Sequence, residues 1–255
     1  MKAEKKTSPE EMVRAIYRML AHSWGPQHWW PADSPFEVIV GAILTQNTSW
    51  TNVERAMASL RAAGALSIAG IRDLPVAQLE QLVRSSGYYR QKASRLKAFV
   101  AFLDEKYGGS LERLFATPTL QLRAELLSLK GIGHETADSI LLYAGNHEIF
   151  VVDAYARRVF ERHGTIAPSA KYDEIRALVE LALRDQQAHG TALESNKPIA
   201  HEPSPMSIAK RSPLAQVYNE MHGLLVQVGK NYCHKAEAKC DECPIRGLLP
   251  KRPAS

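Results

Sequence analysis

The residues best suited to chemistry in this chain are Leu129-Lys130-Gly131-Ile132-Gly133-His134-Glu135-Thr136-Ala137 and, a short way downstream, Asp153. Gly131 and Gly133 flank the apolar Ile132. Two glycines so placed let a backbone turn tightly with its N–H groups directed outward at the start of the helix that follows. Such a turn holds a phosphate oxygen without side-chain help, while Ile132 anchors it inward and Lys130 adds positive charge. Asp153 precedes another helical pattern. By type it is an N-cap, and a carboxylate beside a held backbone can also act on the nucleotide next to it.

The elements that must position these residues read as helices. Ser8-Pro9-Glu10-Glu11 is an N-cap with proline at the first helical position, opening a helix to about Leu20. Trp24 to Pro35 is irregular, and Phe36 to Leu44 is too apolar to face water on any side, which predicts a buried helix. Helical patterns follow at 50–62, 66–70, 76–86, 91–106, 110–115, 118–128, 136–144, 153–163 and 171–184, with glycines at 64, 87, 108, 131, 145 and 164 where helices end or turn. Glu148 to Val152 reads as an extended connector, and the class is all-α. Prolines at 198, 203, 205 and 213 mark residues 189–213 as a flexible surface insertion. Helical periodicity returns from Leu214 to about Val228.

Bulk properties set wide limits. With 255 residues and 45% apolar content the chain is an ordinary globular protein, and its net charge of +5 is a modest basic excess compatible with a polyanionic partner. No apolar run reaches the eighteen or so residues of a membrane span. The charged start has no apolar signal core, so the expected compartment is the cytoplasm. All three cysteines, Cys233, Cys240 and Cys243, fall within eleven residues. That spacing argues against a secretory disulfide framework and toward a metal site.

The pattern LxxLxGIGxxTAxxIL, with Asp153 in Val151-Val152-Asp153-Ala154-Tyr155, resembles the helix–hairpin–helix DNA glycosylases, the endonuclease III superfamily, over most of residues 10–185 and again over 214–249. The resemblance implies an endonuclease III-like fold of two helical subdomains with the active site between them. Residues 1–35 would pack with the C-terminal subdomain, formed by 151–188 and 214–249. Residues 36–150 would form the central bundle carrying the hairpin 129–136, with 250–255 as a tail. It implies double-stranded DNA containing damaged bases as the partner of a monomeric, DNA-associated enzyme, and Asp153 as the catalytic carboxylate. Members that also cleave the strand place a Schiff-base lysine where this chain has Glu135. Glutamate forms no imine, so the amine that lyase chemistry needs is missing from that place.

Trp29-Trp30-Pro31 together with Leu44-Thr45-Gln46-Asn47-Thr48-Ser49-Trp50 looks like the 3-methyladenine DNA glycosylases of that superfamily. Carried over, Trp50 stacks on the damaged base and Trp29, Trp30 and Pro31 line its pocket, where electron-rich indoles suit a cationic purine. Gln46 and Tyr88 match the two residues that fill the gap left by the extruded nucleotide. Arg90, Lys92, Arg157 and Arg158 are either phosphate contacts or solvated charge. Cys233-x6-Cys240-x2-Cys243 matches the first three ligands of the family's iron–sulfur loop, but the fourth position is Leu249. Three outcomes stay open: a [4Fe–4S] cluster or zinc site completed by another ligand such as His234 or His222, a [3Fe–4S] cluster on the three thiols, or packing without a metal. The competing functions are an endonuclease III-like oxidised-pyrimidine glycosylase with lyase activity and a non-catalytic damage-binding protein.

Overall fold

A computed structural model describes residues 7–184 and 203–250. Its described elements are helical, with no β-strand among them: α1 (Pro9–Trp24), α2 (Pro35–Leu44), α3 (Trp50–Ala62), α4 (Ile68–Asp73), α5 (Val76–Leu82), α6 (Tyr89–Tyr107), α7 (Leu111–Phe115), α8 (Thr119–Ser128), α9 (His134–Ser139), α10 (Ala154–Arg162), α11 (Tyr172–Leu183) and α12 (Pro213–Asn231). None of them is long and apolar enough to cross a membrane.

Local chemistry sets many of the boundaries. Ser8 and Glu11 form a reciprocal capping box at the start of α1. The helix then continues one turn beyond the predicted Leu20, because Ala21 stays buried. Serine side chains at 34, 67, 110 and 212 cap α2, α4, α7 and α12 by each accepting one first-turn N–H. The predicted helix 76–86 is divided: α5 ends at Leu82 and a tight turn, Arg84–Ser86, follows. The predicted segment 136–144 starts earlier, at His134, and widens into a π-helical stretch, Ile140–Ala144.

The described chain divides into two compact units. One contains Ala32–His147 with Ser204–Met206. At its centre lies α2, whose residues Phe36–Leu44 are all buried, packed by α3, α6, α9 and the π-helical stretch. At about 1.5–3 kcal/mol for each buried large aliphatic side chain, this helix is a main source of that unit's stability. Of the predicted insertion 189–213, the part up to 202 lies outside the described residues. Ser204–Met206 are fixed instead of loose: the Ala32 N–H donates to Ser204 Oγ, and the Met206 N–H donates to the Ala32 carbonyl.

The second unit contains the described residues of Met1–Pro31, Glu148–Pro203 and Ser207–Ser255. Here α12 packs on α10, α1 and α11. Two glycines of α12 permit close approach, Gly229 to α10 and Gly223 to the loop before α2. A Cβ at Gly229 would stand 2.1 Å from Tyr155 Cδ1, and one at Gly223 would stand 3.1 Å from Trp29 Cβ. Replacing glycine by alanine in a helix ordinarily gains about 1 kcal/mol, whereas overpacking costs about 1–3 kcal/mol. At 2.1 Å the clash wins. Gly229→Ala is therefore expected to lower the melting temperature despite its better helix propensity; a variant as stable as the parent would show that Tyr155 yields freely.

Candidate functional site

In the second unit Asp153 is the N-cap of α10, and its Oδ1 accepts the Ala156 N–H at 2.7 Å. The cap fixes the carboxylate through one oxygen. Oδ2 stands 3.7 Å from Nε2 of His222 on α12, and both side chains are largely removed from water. The His222 imidazole is buried against Trp29 and Phe150, with ring centroids 6.2 and 6.3 Å away. Burial holds its pKa below the ordinary value, against the opposing pull of Asp153. The ring is therefore neutral near pH 7 and adds no positive charge beside the Asp153 carboxylate.

The loop before α2 supplies aromatic surface to the same unit. Trp29 and Trp30 meet edge to face at 5.9 Å. Lys230 Nζ lies over the Trp29 ring, 5.8 Å from its centroid, so this indole already attracts a cation. Glu220, buried on α12, holds the loop by accepting the Gln27 N–H at 2.6 Å. Burial raises its pKa, and hydrogen bonds from the Gln27 and His28 backbone oppose that rise. His222 and Glu220 have no place in the sequence patterns that revealed Asp153. The one signal for them was glycine in the middle of an amphipathic helix, which marks a close approach.

The hairpin lies in the first unit. Gly131 has φ +90°, a conformation that favours glycine, and the Arg95 side chain lies across it, its Nε 2.2 Å from where a Cβ would stand. Ile132 is buried, while Lys130, Gly133 and Glu135 are exposed. The first N–H groups of any helix lack intrahelical acceptors, and those of α9 begin just past the exposed Gly133. Arg123 on α8 grips Asp138 on α9 with two hydrogen bonds, at 2.6 and 3.1 Å, and so locks the two arms together. Gln46 joins this assembly. Its amide donates to the Gly131 carbonyl at 3.0 Å and to Thr136 Oγ1 at 2.8 Å, and it accepts from Arg95.

The other residues singled out from sequence have varied surroundings. Trp50 is the half-buried first residue of α3 and donates to Glu54 Oε1 at 3.0 Å. Tyr88 is 65% exposed in a left-handed turn ahead of α6. Glu135 stands in the first turn of α9, where a carboxylate suits the helix dipole. Arg157 is half-buried, donating to the Ala170 carbonyl and facing Glu161 at 3.6 Å. Two of these basic residues are engaged within the protein. Arg158 donates to the Cys233 carbonyl at 2.5 Å and lies over the Tyr155 ring. Lys92 is fully buried.

The expectation of an iron–sulfur cluster or zinc at Cys233, Cys240 and Cys243 is corrected. Among the described residues, no group of three or more His, Cys, Asp or Glu is arranged to hold a metal ion. The local chemistry agrees. The thiols line a cleft with Leu249 and Val228, whose alkyl chains donate no electron pair, and His163 there is held below its usual pKa by burial. Cys233 Sγ accepts from Arg162 at 3.1 Å. Burial pushes the Cys243 thiol up, away from the thiolate a metal takes. The loop is held by these packing and hydrogen-bond contacts.

Comparison with known proteins matches residues 40–184 to the model of the HhH-GPD superfamily base excision DNA repair protein. A Methanocaldococcus jannaschii protein that bears the name of a DNA repair glycosylase is 44% identical over 92% of this chain and 94% of its own length. Endonuclease III of Thermotoga maritima is 26% identical over 93% of this chain and 90% of its length. Among solved structures, the H. pylori 3-methyladenine DNA glycosylase bound to 1,N6-ethenoadenine superposes with a TM-score of 0.70 at 30% identity, covering 88% of this chain and 97% of that one. An endonuclease III–DNA complex reaches the same TM-score at 20% identity, covering 94% of each chain, and shares the fold.

The buried imidazole makes the site sensitive to acid. The folded pKa of His222 lies below its ordinary 6.5, so as pH falls the unfolded chain takes up the proton first. The stability due to the neutral ring is complete above about pH 6.5 and is lost as pH drops toward the folded value. His222→Gln is expected to melt with a shallower loss of stability between about pH 7 and about pH 5 than the parent. Parallel curves for the two proteins would show that His222 does not titrate in this way.

Proposed function

The chain belongs to the HhH-GPD superfamily of base excision DNA repair proteins, and on that premise we propose that it is a monofunctional glycosylase hydrolysing the N-glycosidic bond of alkylated, 3-methyladenine-type purines in double-stranded DNA. That it is a DNA base-excision glycosylase follows from the family and from relatives spanning most of its length. The alkylpurine substrate and the absence of lyase chemistry are our reading.

One observation carries it: Asp153 is fixed through one oxygen while the other stands by a neutral imidazole against Trp29. As the glycosidic bond breaks, the deoxyribose gains oxocarbenium character. The Asp153 carboxylate stabilises that charge and orients or deprotonates the attacking water. A second carboxylate to protonate the leaving group is dispensable when the base already carries positive charge. The indole of Trp29, which attracts the Lys230 ammonium, suits such a base. Trp30 and Pro31 belong to the same loop, and the resemblance adds Trp50 to the stacking set. The hairpin, through the N–H groups after Gly133 and the charge of Lys130, takes a backbone phosphate. Glu135 in place of a lysine supplies no imine-forming amine.

The endonuclease III relative supports a second reading, an oxidised-pyrimidine glycosylase with lyase activity from another amine. A panel of duplexes each carrying one lesion separates the two. The expected result is faster excision of 3-methyladenine than of any oxidised pyrimidine, with no borohydride-trapped adduct on abasic DNA. Efficient trapping together with the reverse preference would establish the second reading. Trp29→Ala and Trp50→Ala are each expected to lose about 1–3 kcal/mol of stacking, or about five- to a hundredfold in excision rate, with little change in binding to abasic product. Equal losses on substrate and product would assign these indoles to packing alone.

A further inference from the structure

Lys92 is a cation in an expensive place. It sits on the first turn of α6 with its side chain fully buried, and burial, aided by the nearby Arg95, lowers its pKa from 10.5 to about 8. A hydrophobic residue of similar length would avoid that desolvation penalty. Its partners indicate what the ammonium does. Nζ donates to the Leu44 carbonyl at 2.8 Å and to the Ser86 carbonyl at 2.6 Å.

Leu44 is the last residue of α2, and the end of a helix leaves carbonyls without donors and carries the negative pole of its dipole. No basic residue lies in the last turn of α2, so Lys92 supplies the charge from another helix. Ser86 ends the tight turn after α5. Each held carbonyl stands two residues before a side chain matched to gap filling: Leu44 before Gln46, Ser86 before Tyr88. In each case the backbone at or just past that side chain is left-handed, with φ 53° at Asn47 and 45° at Tyr88. One turn along α6, Arg95 donates to Gln46 and covers Gly131 of the hairpin.

We propose that Lys92 is a positioning residue that ties the Gln46 loop and the Tyr88 turn into one rigid unit, so that both side chains enter the DNA at a fixed spacing. The proposal rests on the reading of Gln46 and Tyr88 as gap fillers. Lys92 touches neither substrate nor reacting atoms; its effect passes through the two backbone segments it holds.

A double-mutant cycle tests it with the full-length protein and a duplex containing a tetrahydrofuran abasic analogue, reading both Kd and melting temperature. Lys92→Met is expected to weaken binding about tenfold, the size of one charge-assisted hydrogen bond. In the Gln46→Ala/Tyr88→Ala background the same change is expected to weaken binding little further, while lowering the melt as much as before. An equal loss of affinity in both backgrounds, or affinity unchanged by Lys92→Met, would overturn the positioning role. If Gln46→Ala/Tyr88→Ala alone binds as tightly as the parent, the gap-filling reading itself falls, and the two failures are thus told apart. Should Lys92→Met not fold, Lys92→Gln, which keeps amide donors without the charge, is expected to show the same non-additivity with a smaller loss. Additive losses in that variant would likewise refute the proposal.

Discussion

The close approach of α12 to its neighbours is the constraint on which the unit that carries Asp153 depends. Gly229 lets Tyr155, the second residue of α10, lie against the helix, and Gly223 does the same for the loop that carries Trp29. With these contacts the N-terminus of α10, and hence Asp153, is held beside His222, and His222 lies against the indole. A side chain at Gly229 would push Tyr155 away, and one at Gly223 would crowd Gln27 and Trp29. Backbone proximity thus places the acid, and the acid's placement sets where charge can be stabilised.

Buried polar groups are costly unless they are satisfied, and here they recur wherever a loop must be held. Glu220 takes the Gln27 N–H and restrains the aromatic loop. Arg123 and Asp138 clamp the arms of the hairpin. Lys92 closes the ends of α2 and of the turn before Tyr88. A purely apolar interior could stabilise both units as well, but it would not specify the conformation of loops that carry Gln46, Tyr88 and Trp29. Loops on a rigid scaffold need such ties to keep one conformation.

How much of this was legible in the sequence depended on range. The hairpin and Asp153 were readable because glycine spacing, an apolar anchor and an N-cap are local signals. Most helices were readable for the same reason, and the buried α2 followed from its unbroken apolar run. His222, Glu220 and the Arg123–Asp138 pair were not, since each acts through a partner at least fifteen residues away. The partners of Lys92 and Arg158 are equally hidden, because a sequence does not display the carbonyls that receive them. The cysteine spacing misled: three thiols in a familiar register indicate a metal only with a fourth ligand, and Leu249 gives the loop an apolar packing contact instead.

The central claim is that the negative charge of Asp153 drives base excision. Its most direct test is Asp153→Asn, which keeps an oxygen able to cap α10 while removing the charge. Single-turnover excision from 3-methyladenine duplex should fall by at least about a hundredfold, with binding of the same duplex and the cooperative melt close to those of the parent. Near-parental excision by a folded Asp153→Asn protein would contradict the account, and the carboxylate would then have to be read as a helix cap alone.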